Sequence, residues 1–491
     1  MMTVVDGAVQ MTATNPRTGQ ADYVFTPAAL AEVEQTAQRL RQAQPAWLAQ
    51  GLAARIQALL AWADAIEAQR LDIITALSQD TGRWFLSETE VDGAVRNLRR
   101  WAALAPEMLG EDLHGPVLDS QLISTVKYQN QAVPYGLSGF ISPWNFPVTL
   151  SLIDAVPALA AGSAALIKPS EITPRFVEPL LKTLDAVPEL KSVVGFVLGD
   201  GTIGQALIEQ VDLVCFTGSV ATGRKVAEAA ARRFIPASLE LGGKDPVIIL
   251  ETANLDQAVD SVLRGGLSNS GQACLSIERV YVQRSVHDVF LAKLGEKAGA
   301  LSLNWPDIHQ GNIGPLIHAP QADIIGHQIE DALTKGARII TGGEILNHGG
   351  GRWCPPTVLA DVTHDMDIMR EETFGPVLPV MAFDTVEEAI ALANDTSFGL
   401  SGAVIAGSSE EAIPVAEKIN AGGLSINDCA LTILTYEPEK NSFGLSGMGG
   451  SRMGPASINR FIRRKALIMQ SGAPAPLDIL EESRAPSRPQ V

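Results

Sequence analysis

Cysteine is scarce: the 491-residue chain holds 4, at positions 215, 274, 354 and 429. So few thiols exclude a disulfide scaffold and fit a reducing compartment, so a cytoplasmic location is expected. Basic residues are also in short supply, 37 Lys and Arg against 55 Asp and Glu, for a net charge of −18. A nucleic-acid protein usually shows a basic field, so no nucleic-acid partner is expected. Long apolar runs are missing. The longest, Ala155 to Ile167, is too short for a membrane span and is broken by Pro157, Gly162 and Ser163; no membrane partner is expected. The first ten residues carry Asp6 and no basic residue, unlike a secretory leader. The 7 histidines are scattered, none in an HExxH motif or a tight His/Cys cluster, so no metal site is nominated. Length is what the chain has in supply. It suggests about two to four domains, large enough to fold without a covalent or metal staple.

From about Pro27 to Leu104 good helix formers dominate. Apolar residues recur there at helical spacing: Leu30, Val33, Ala37 and Leu40, then Ile56, Leu59, Leu60 and Ala63. Pro45 and Gly82 punctuate the run. Between Leu122 and Val133 the pattern alternates, which predicts a strand pair or ribbon outside any helix-covered sheet. From Gly136 short apolar runs (139–141, 164–167, 193–198, 213–216, 238–241, 247–250) alternate with helix-like stretches (150–161, 175–185, 204–210, 222–233). That alternation predicts a doubly wound parallel sheet. Beyond about Asp256 a second α/β segment follows, with helices near 256–265 and 285–300 and strands at 279–282, 338–341, 377–382, 400–405 and 423–426. Residues 471–491 are rich in Pro, Ser and Glu and are expected to form an exposed tail.

Five segments hold side chains with chemical potential. Thr217-Gly218-Ser219-Val220 follows a predicted strand and opens a helix. Glycine lets backbone N–H groups approach an anion there, and the helix start favours negative charge; an ordinary strand-to-helix turn looks the same. Lys168-Pro169-Ser170-Glu171 ends another strand, at the sheet edge where doubly wound folds bind ligands. Lys168 can bond ribose hydroxyls or a phosphate and Glu171 can accept from ribose hydroxyls; a solvated charged loop is the competing view. In Ser142-Pro143-Trp144-Asn145-Phe146-Pro147 two prolines fix the backbone around Asn145. A held amide is an oxyanion donor, although Asn also suits a Pro-rich turn. Glu240 stands between Leu239 and Leu241; a half-buried carboxyl is raised in pKa and suits a base near neutral pH, or serves structure alone. Cys274 follows the small-residue loop Asn269-Ser270-Gly271-Gln272-Ala273, as an accessible nucleophile would. Cys215 inside an apolar strand, Cys354 before two prolines and Cys429 in a loop default to packing.

Taken in this order, the segments resemble one family, the NAD(P)-dependent aldehyde dehydrogenases of the hydrolytic, non-acylating type. The resemblance runs from about Asn15 to Gln470. Its most specific parts are Glu240-Leu241-Gly242-Gly243-Lys244 and Asn269-x-Gly271-Gln272-x-Cys274 with Arg279; the 34 positions from Glu240 to Cys274 match the family's usual separation. Further matches are Glu371-Glu372-Thr373-Phe374-Gly375-Pro376, Asn394 to Leu400, and Ala421-Gly422-Gly423 with Asn427.

The resemblance implies roles. Cys274 is the nucleophile, Asn145 and the Cys274 backbone N–H hold the oxyanion, and Glu240 activates water. Lys168 and Glu171 hold the adenosine ribose, and Gly218 and Ser219 meet the pyrophosphate. Glu372 and Phe374 position the nicotinamide ribose and ring, with Ser142 and Trp144 lining the cofactor channel. The implied cofactor is NAD, preferred over NADP because Glu171 opposes a 2′-phosphate. The implied architecture is an NAD-binding Rossmann-like domain (1–118 and 136–242), a catalytic domain (243–445), and an oligomerisation ribbon with a tail (119–135 and 446–491). A homodimer or homotetramer follows from strand 466–470. The chain departs from the family at Ser442 to Gly450, where a Pro-Phe-Gly-Gly is usual, and in a long 428–442 loop. No particular aldehyde can be assigned. A CoA-acylating enzyme has no need of Glu240. A non-catalytic scaffold has no need of Cys274, Glu240 and Asn145, and a cofactor-free cysteine hydrolase would need a paired His that no motif nominates.

Overall fold

The structure, a computed structural model, describes residues 2–5, 8–110 and 113–480. Four helices open it after a small three-stranded sheet: Leu30–Ala49, Gly51–Ala68, Arg70–Thr81 and Phe85–Leu109. The first buries Val33, Ala37, Leu40, Gln44 and Trp47, a stripe at three- and four-residue spacing that packs inward. The third ends at Gly82, whose φ of +68° suits glycine and whose added Cβ would lie 2.3 Å from Pro315 Cγ. That turn delivers Arg83 to the site described below.

Beneath these helices lies a six-stranded sheet, ordered Gly447–Met448, Ala237–Glu240, Leu213–Thr217, Leu137–Ile141, Ala164–Lys168, Val194–Phe196. All neighbours are parallel except Gly447–Met448, which runs against Leu239 and Glu240. The central strands are buried on both faces, as helix-covered parallel strands must be. Trp47, Trp62, Trp101, Phe140 and Leu166 share this core. Strand order reverses between Leu137–Ile141 and Leu213–Thr217, and the carboxyl ends flanking such a reversal leave a crevice. Ser142–Asn145, Pro169–Glu171, Gly218–Ser219 and Leu241–Gly242 all follow those carboxyl ends.

The chain then crosses to a seven-stranded sheet, ordered Arg338–Thr341, Thr357–Ala360, Val377–Phe383, Ile277–Gln283, Asp245–Ile249, Ser401–Ile405, Gly423–Ile426. Only Arg338–Thr341 is antiparallel to its neighbour. Cys274 and Phe374 lie just before two adjacent strands of this sheet, so its amino ends meet the carboxyl ends of the first sheet. A third sheet of three antiparallel strands holds His114–Asp119, Val126–Pro134 and Ile462–Gln470. The mixed α/β architecture expected from the sequence is the one observed.

Details differ. The 150–161 helix is two pieces, Pro147–Leu152 and Ala155–Ala161: Pro157 has no N–H for the Ile153 carbonyl, and Asp154 at the break accepts from Arg452 and Arg460. Within 122–133 the structure has one strand, Val126–Pro134, paired on one side with nearby His114–Asp119 and on the other with distant Ile462–Gln470, while Leu122 is exposed. The strands Ala8–Ala13 and Tyr23–Phe25 were not foreseen. Residues 471–480 are exposed apart from half-buried Asp478; the rest of the tail lies outside the described residues. Among the described residues no helix is long and apolar enough to cross a membrane.

Candidate active site

Two cavities occupy the crevice and share Pro143, Trp144, Thr217, Gly218 and Ser219. The outer one, about 630 Å³, is lined by Ser142, Lys168, Glu171, Gly218 and Ser219. The inner one, about 340 Å³, is lined by Trp144, Asn145, Glu240, Cys274, Glu372 and Phe374. All eleven residues nominated from the sequence therefore come together in one continuous space.

In the outer cavity Lys168 Nζ donates to Glu171 Oε2 at 3.1 Å, so each fixes the other beside the strand end. Ser219 caps the Val220–Arg233 helix, its Oγ accepting from the Thr222 N–H at 3.3 Å. That 14-residue helix points its N-terminus at the crevice, and Gly218 admits a ligand close to the backbone. This concave site, with a cation, a carboxylate and a helix start along its length, fits an elongated dinucleotide.

In the inner cavity Asn145 is buried. Its Nδ2 donates to the Gln272 carbonyl at 3.1 Å, and its Oδ1 has no partner among the described residues. An amide has two N–H donors, so one remains for a ligand. The Asn145 carbonyl is held in turn by Arg83 at 2.7 Å and by Asn269 Nδ2 at 3.1 Å. Arg83 also pairs with Glu90 at 2.6 Å and lies over the Phe146 ring. Glu90 accepts from the Val148 and Thr149 N–H groups, completing a buried frame around the Asn145 turn.

Cys274 is reached through three successive residues with left-handed backbone, Asn269, Ser270 and Gly271. A Cβ at Gly271 would lie 2.1 Å from the Gly375 carbonyl, so the loop before Cys274 passes directly against the 372–376 segment. Buried Gln272 locks the loop by donating to the Asn269 and Pro315 carbonyls and accepting from the Ile317 N–H. Burial pushes the Cys274 thiol up to about 12, with Lys440 the first charge pulling it down. Glu240 Oε2 accepts from Ser442 Oγ at 2.8 Å. Burial, then the charge of Glu278, pushes the Glu372 carboxyl up to about 8; its Oε1 accepts from the Gly243 N–H at 3.2 Å. Trp144 and Phe374 meet edge to face at 5.3 Å between centroids.

Several residues here had no sequence signal. His318, one of the scattered histidines, lines the inner cavity 5.9 Å from the Trp144 ring. Lys225 and Arg232 add cations to the outer cavity. Arg83 and Glu90 act across more than fifty residues of chain, a separation that no motif marks. Ser442 did have a signal, since it stands where the chain departs from the family pattern. The loop before it folds a short helix, Leu431–Leu434, and Arg100 donates to the Tyr436 carbonyl at 2.8 Å.

Comparison with known proteins places this geometry. A family model described as the aldehyde dehydrogenase family matches residues 4–467. A solved structure titled as that of a putative aldehyde dehydrogenase, PutA, from Anabaena variabilis is 50% identical, covers 95% of this chain and 99% of its own, and superposes with a TM-score of 0.93. Betaine aldehyde dehydrogenase from Staphylococcus aureus, solved in complex with NAD+, is 28% identical over 98% of this chain and 95% of its own, with a TM-score of 0.89. Among curated sequences, a putative succinate-semialdehyde dehydrogenase of Mycobacterium ulcerans, named as NADP(+)-dependent, is 34% identical over 91% of this chain and 87% of its own length.

Proposed function

The chain belongs to the aldehyde dehydrogenase family, and from that premise we propose that it oxidises an aldehyde to the carboxylic acid at Cys274, with NAD as the preferred cofactor. The observation that carries the reading is the convergence of Cys274, Glu240, Asn145, Glu372 and Phe374 on one cavity continuous with the Lys168–Glu171 end. Bound nicotinamide dinucleotide supplies the hydride acceptor. Lys168 and Glu171 would hold its adenosine ribose, Gly218 and Ser219 its pyrophosphate, and Glu372 and Phe374 its nicotinamide end, with Ser142 and Trp144 along the channel.

The chain's own groups account for the rest. The Cys274 thiol gives its proton to solvent, its sulfur forms a bond to the aldehyde carbon, and the carbonyl oxygen becomes an oxyanion. Asn145 Nδ2, held in place by its turn, donates to that oxygen. Loss of hydride from the carbon leaves a thioester on Cys274. Glu240, whose second oxygen is fixed by Ser442, takes a proton from water as it attacks the thioester. The C–S bond breaks, the acid leaves, and the proton held by Glu240 passes to the departing sulfur, which restores the thiol.

Glu171 supports NAD, because a 2′-phosphate would face its carboxylate. Lys225 and Arg232 in the same cavity keep NADP usable. The four free cysteines support a cytoplasmic enzyme. We read 243–445 as the catalytic unit and 136–242 with the chain up to 113 as the cofactor unit; the 1–118 boundary expected from the sequence moves back because the His114–Asp119 strand pairs into the ribbon, which takes 114–135 and 446–491 with the tail. The ribbon edge left unpaired among the described residues supports a homodimer or homotetramer.

The test is a panel of aldehydes with NADH readout, run on the native protein, Cys274→Ala and Glu240→Gln. Cys274→Ala is expected to bind NAD and oxidise nothing. Glu240→Gln is expected to release a burst of NADH and then turn over slowly. Turnover by Cys274→Ala, or an unchanged steady-state rate in Glu240→Gln, would overturn the respective role.

A further inference from the structure

Glu278 is a buried carboxylate for which the mechanism above has no use. It lies four residues past Cys274, on the Ile277–Gln283 strand, and is 3% exposed. Its oxygens are fully engaged. Oε2 accepts from Lys244 Nζ at 2.7 Å and from the Thr373 N–H at 2.8 Å, and Oε1 accepts from the Phe374 N–H at 2.8 Å. Lys244 Nζ donates also to Thr373 Oγ1 at 2.9 Å. One side chain thus joins three segments of the site: the stretch after Glu240, the strand that begins behind Cys274, and the approach to Val377–Phe383.

The location matters because backbone pairing is missing there. The Ile277–Gln283 and Val377–Phe383 strands pair from Val280 with Val380 onward, away from the cavity. Toward the cavity the 372–374 segment leaves the ladder, and Phe374 takes a left-handed φ of +51° that a bulky residue rarely adopts. Two consecutive N–H groups donating to a single carboxylate hold that backbone where no strand does.

We infer that Glu278 is a positioning residue for the cofactor: it tethers the 372–374 segment to the strand that follows Cys274, so that Glu372 and Phe374 keep a fixed place relative to Cys274. The inference rests on the reading of Glu372 and Phe374 as the nicotinamide end of the site. It differs from a purely structural ion pair in what it disturbs. Loosening the tether weakens the grip on NAD and leaves the thiol and the aldehyde site as they were.

The experiment uses full-length Glu278→Gln, which keeps the size and one acceptor but loses the charge and the second acceptor. Expected are a rise of about tenfold in the NAD dissociation constant and in KM for NAD, the effect of one lost charge-assisted hydrogen bond. KM for aldehyde, and the rate of Cys274 alkylation by iodoacetamide without cofactor, should stay within about twofold. If Lys244, left without its carboxylate, prevents folding, the double variant Lys244→Met/Glu278→Gln removes both charges and takes the same measurements. A folded variant with unchanged KM for NAD overturns the proposal. Equal damage to NAD and aldehyde KM overturns it as well, as does failure of both variants to fold, since each marks a structural role only. Glu372→Gln measured in parallel separates the two levels: if it leaves NAD binding unchanged, the reading of Glu372 fails whatever Glu278 does.

Discussion

A thiol must lose its proton before it attacks a carbonyl, and the surroundings of Cys274 oppose that step. Burial raises it to about 12, and burial raises Cys215, Cys354 and Cys429 to about 12 too. Acidity therefore does not single out the nucleophile in the free protein; access does. Cys274 lines the cavity and is partly exposed, whereas the other three are buried. A raised pKa means that the thiolate fraction is very small at neutral pH and grows with every step toward the pKa. The rate of Cys274 alkylation by iodoacetamide in the cofactor-free protein should then keep climbing from about pH 6 to about pH 10, with Cys274 the only thiol labelled. Mass mapping of the labelled peptide follows this directly. A plateau below about pH 8 would show a thiolate already formed at rest, and the burial argument would fail.

Among elements, the turn that holds Asn145 depends on a helix far from it in sequence. The Arg83–Glu90 pair is buried, and Glu90 also receives the Val148 and Thr149 N–H groups at the start of the Pro147–Leu152 helix. Glu90→Ala removes all of these bonds at once and leaves a guanidinium in the core without its carboxylate. The expected loss is about 3–5 kcal/mol of unfolding free energy, read by urea denaturation. Arg83→Met/Glu90→Gln, which buries no unpaired charge, should cost less; equal losses would mean that the pair's charges are not what matters. The contrast shows what a sequence can disclose. Asn145, Glu240 and Cys274 were legible because each stands in a short local pattern: two prolines around Asn145, Leu239 and Leu241 around Glu240, and the small-residue loop before Cys274. The alternation of short apolar runs with helices likewise exposed the parallel sheets, since period and length are local properties. Arg83, Glu90, Glu278 and His318 were not legible as parts of the site: each works on a group that only the completed fold brings near. The Asp154 pairing was not legible for the same reason, because its two arginine partners lie some three hundred residues on.

At the scale of the whole molecule the third sheet has an unfinished side. Ile462–Gln470 pairs through its full length with Val126–Pro134, but among the described residues nothing pairs with its other edge. Leu467, Ile468 and Met469 on it are exposed, Ile468 at 72%. An open edge with apolar side chains invites another strand. A second copy of this chain is the simplest source of one, because a closed symmetric pairing would finish both edges at once. Light scattering after size exclusion should give a mass that is a multiple of the 52.1 kDa chain. Ile468→Asp places a charge on the exposed strand, where it penalises edge pairing and touches no part of the catalytic cavity. It should shift the population toward single chains while leaving NAD binding by those chains intact. A native protein that runs as a clean single chain would remove the ribbon from any role in assembly. Unchanged assembly in Ile468→Asp would move the interface to another face.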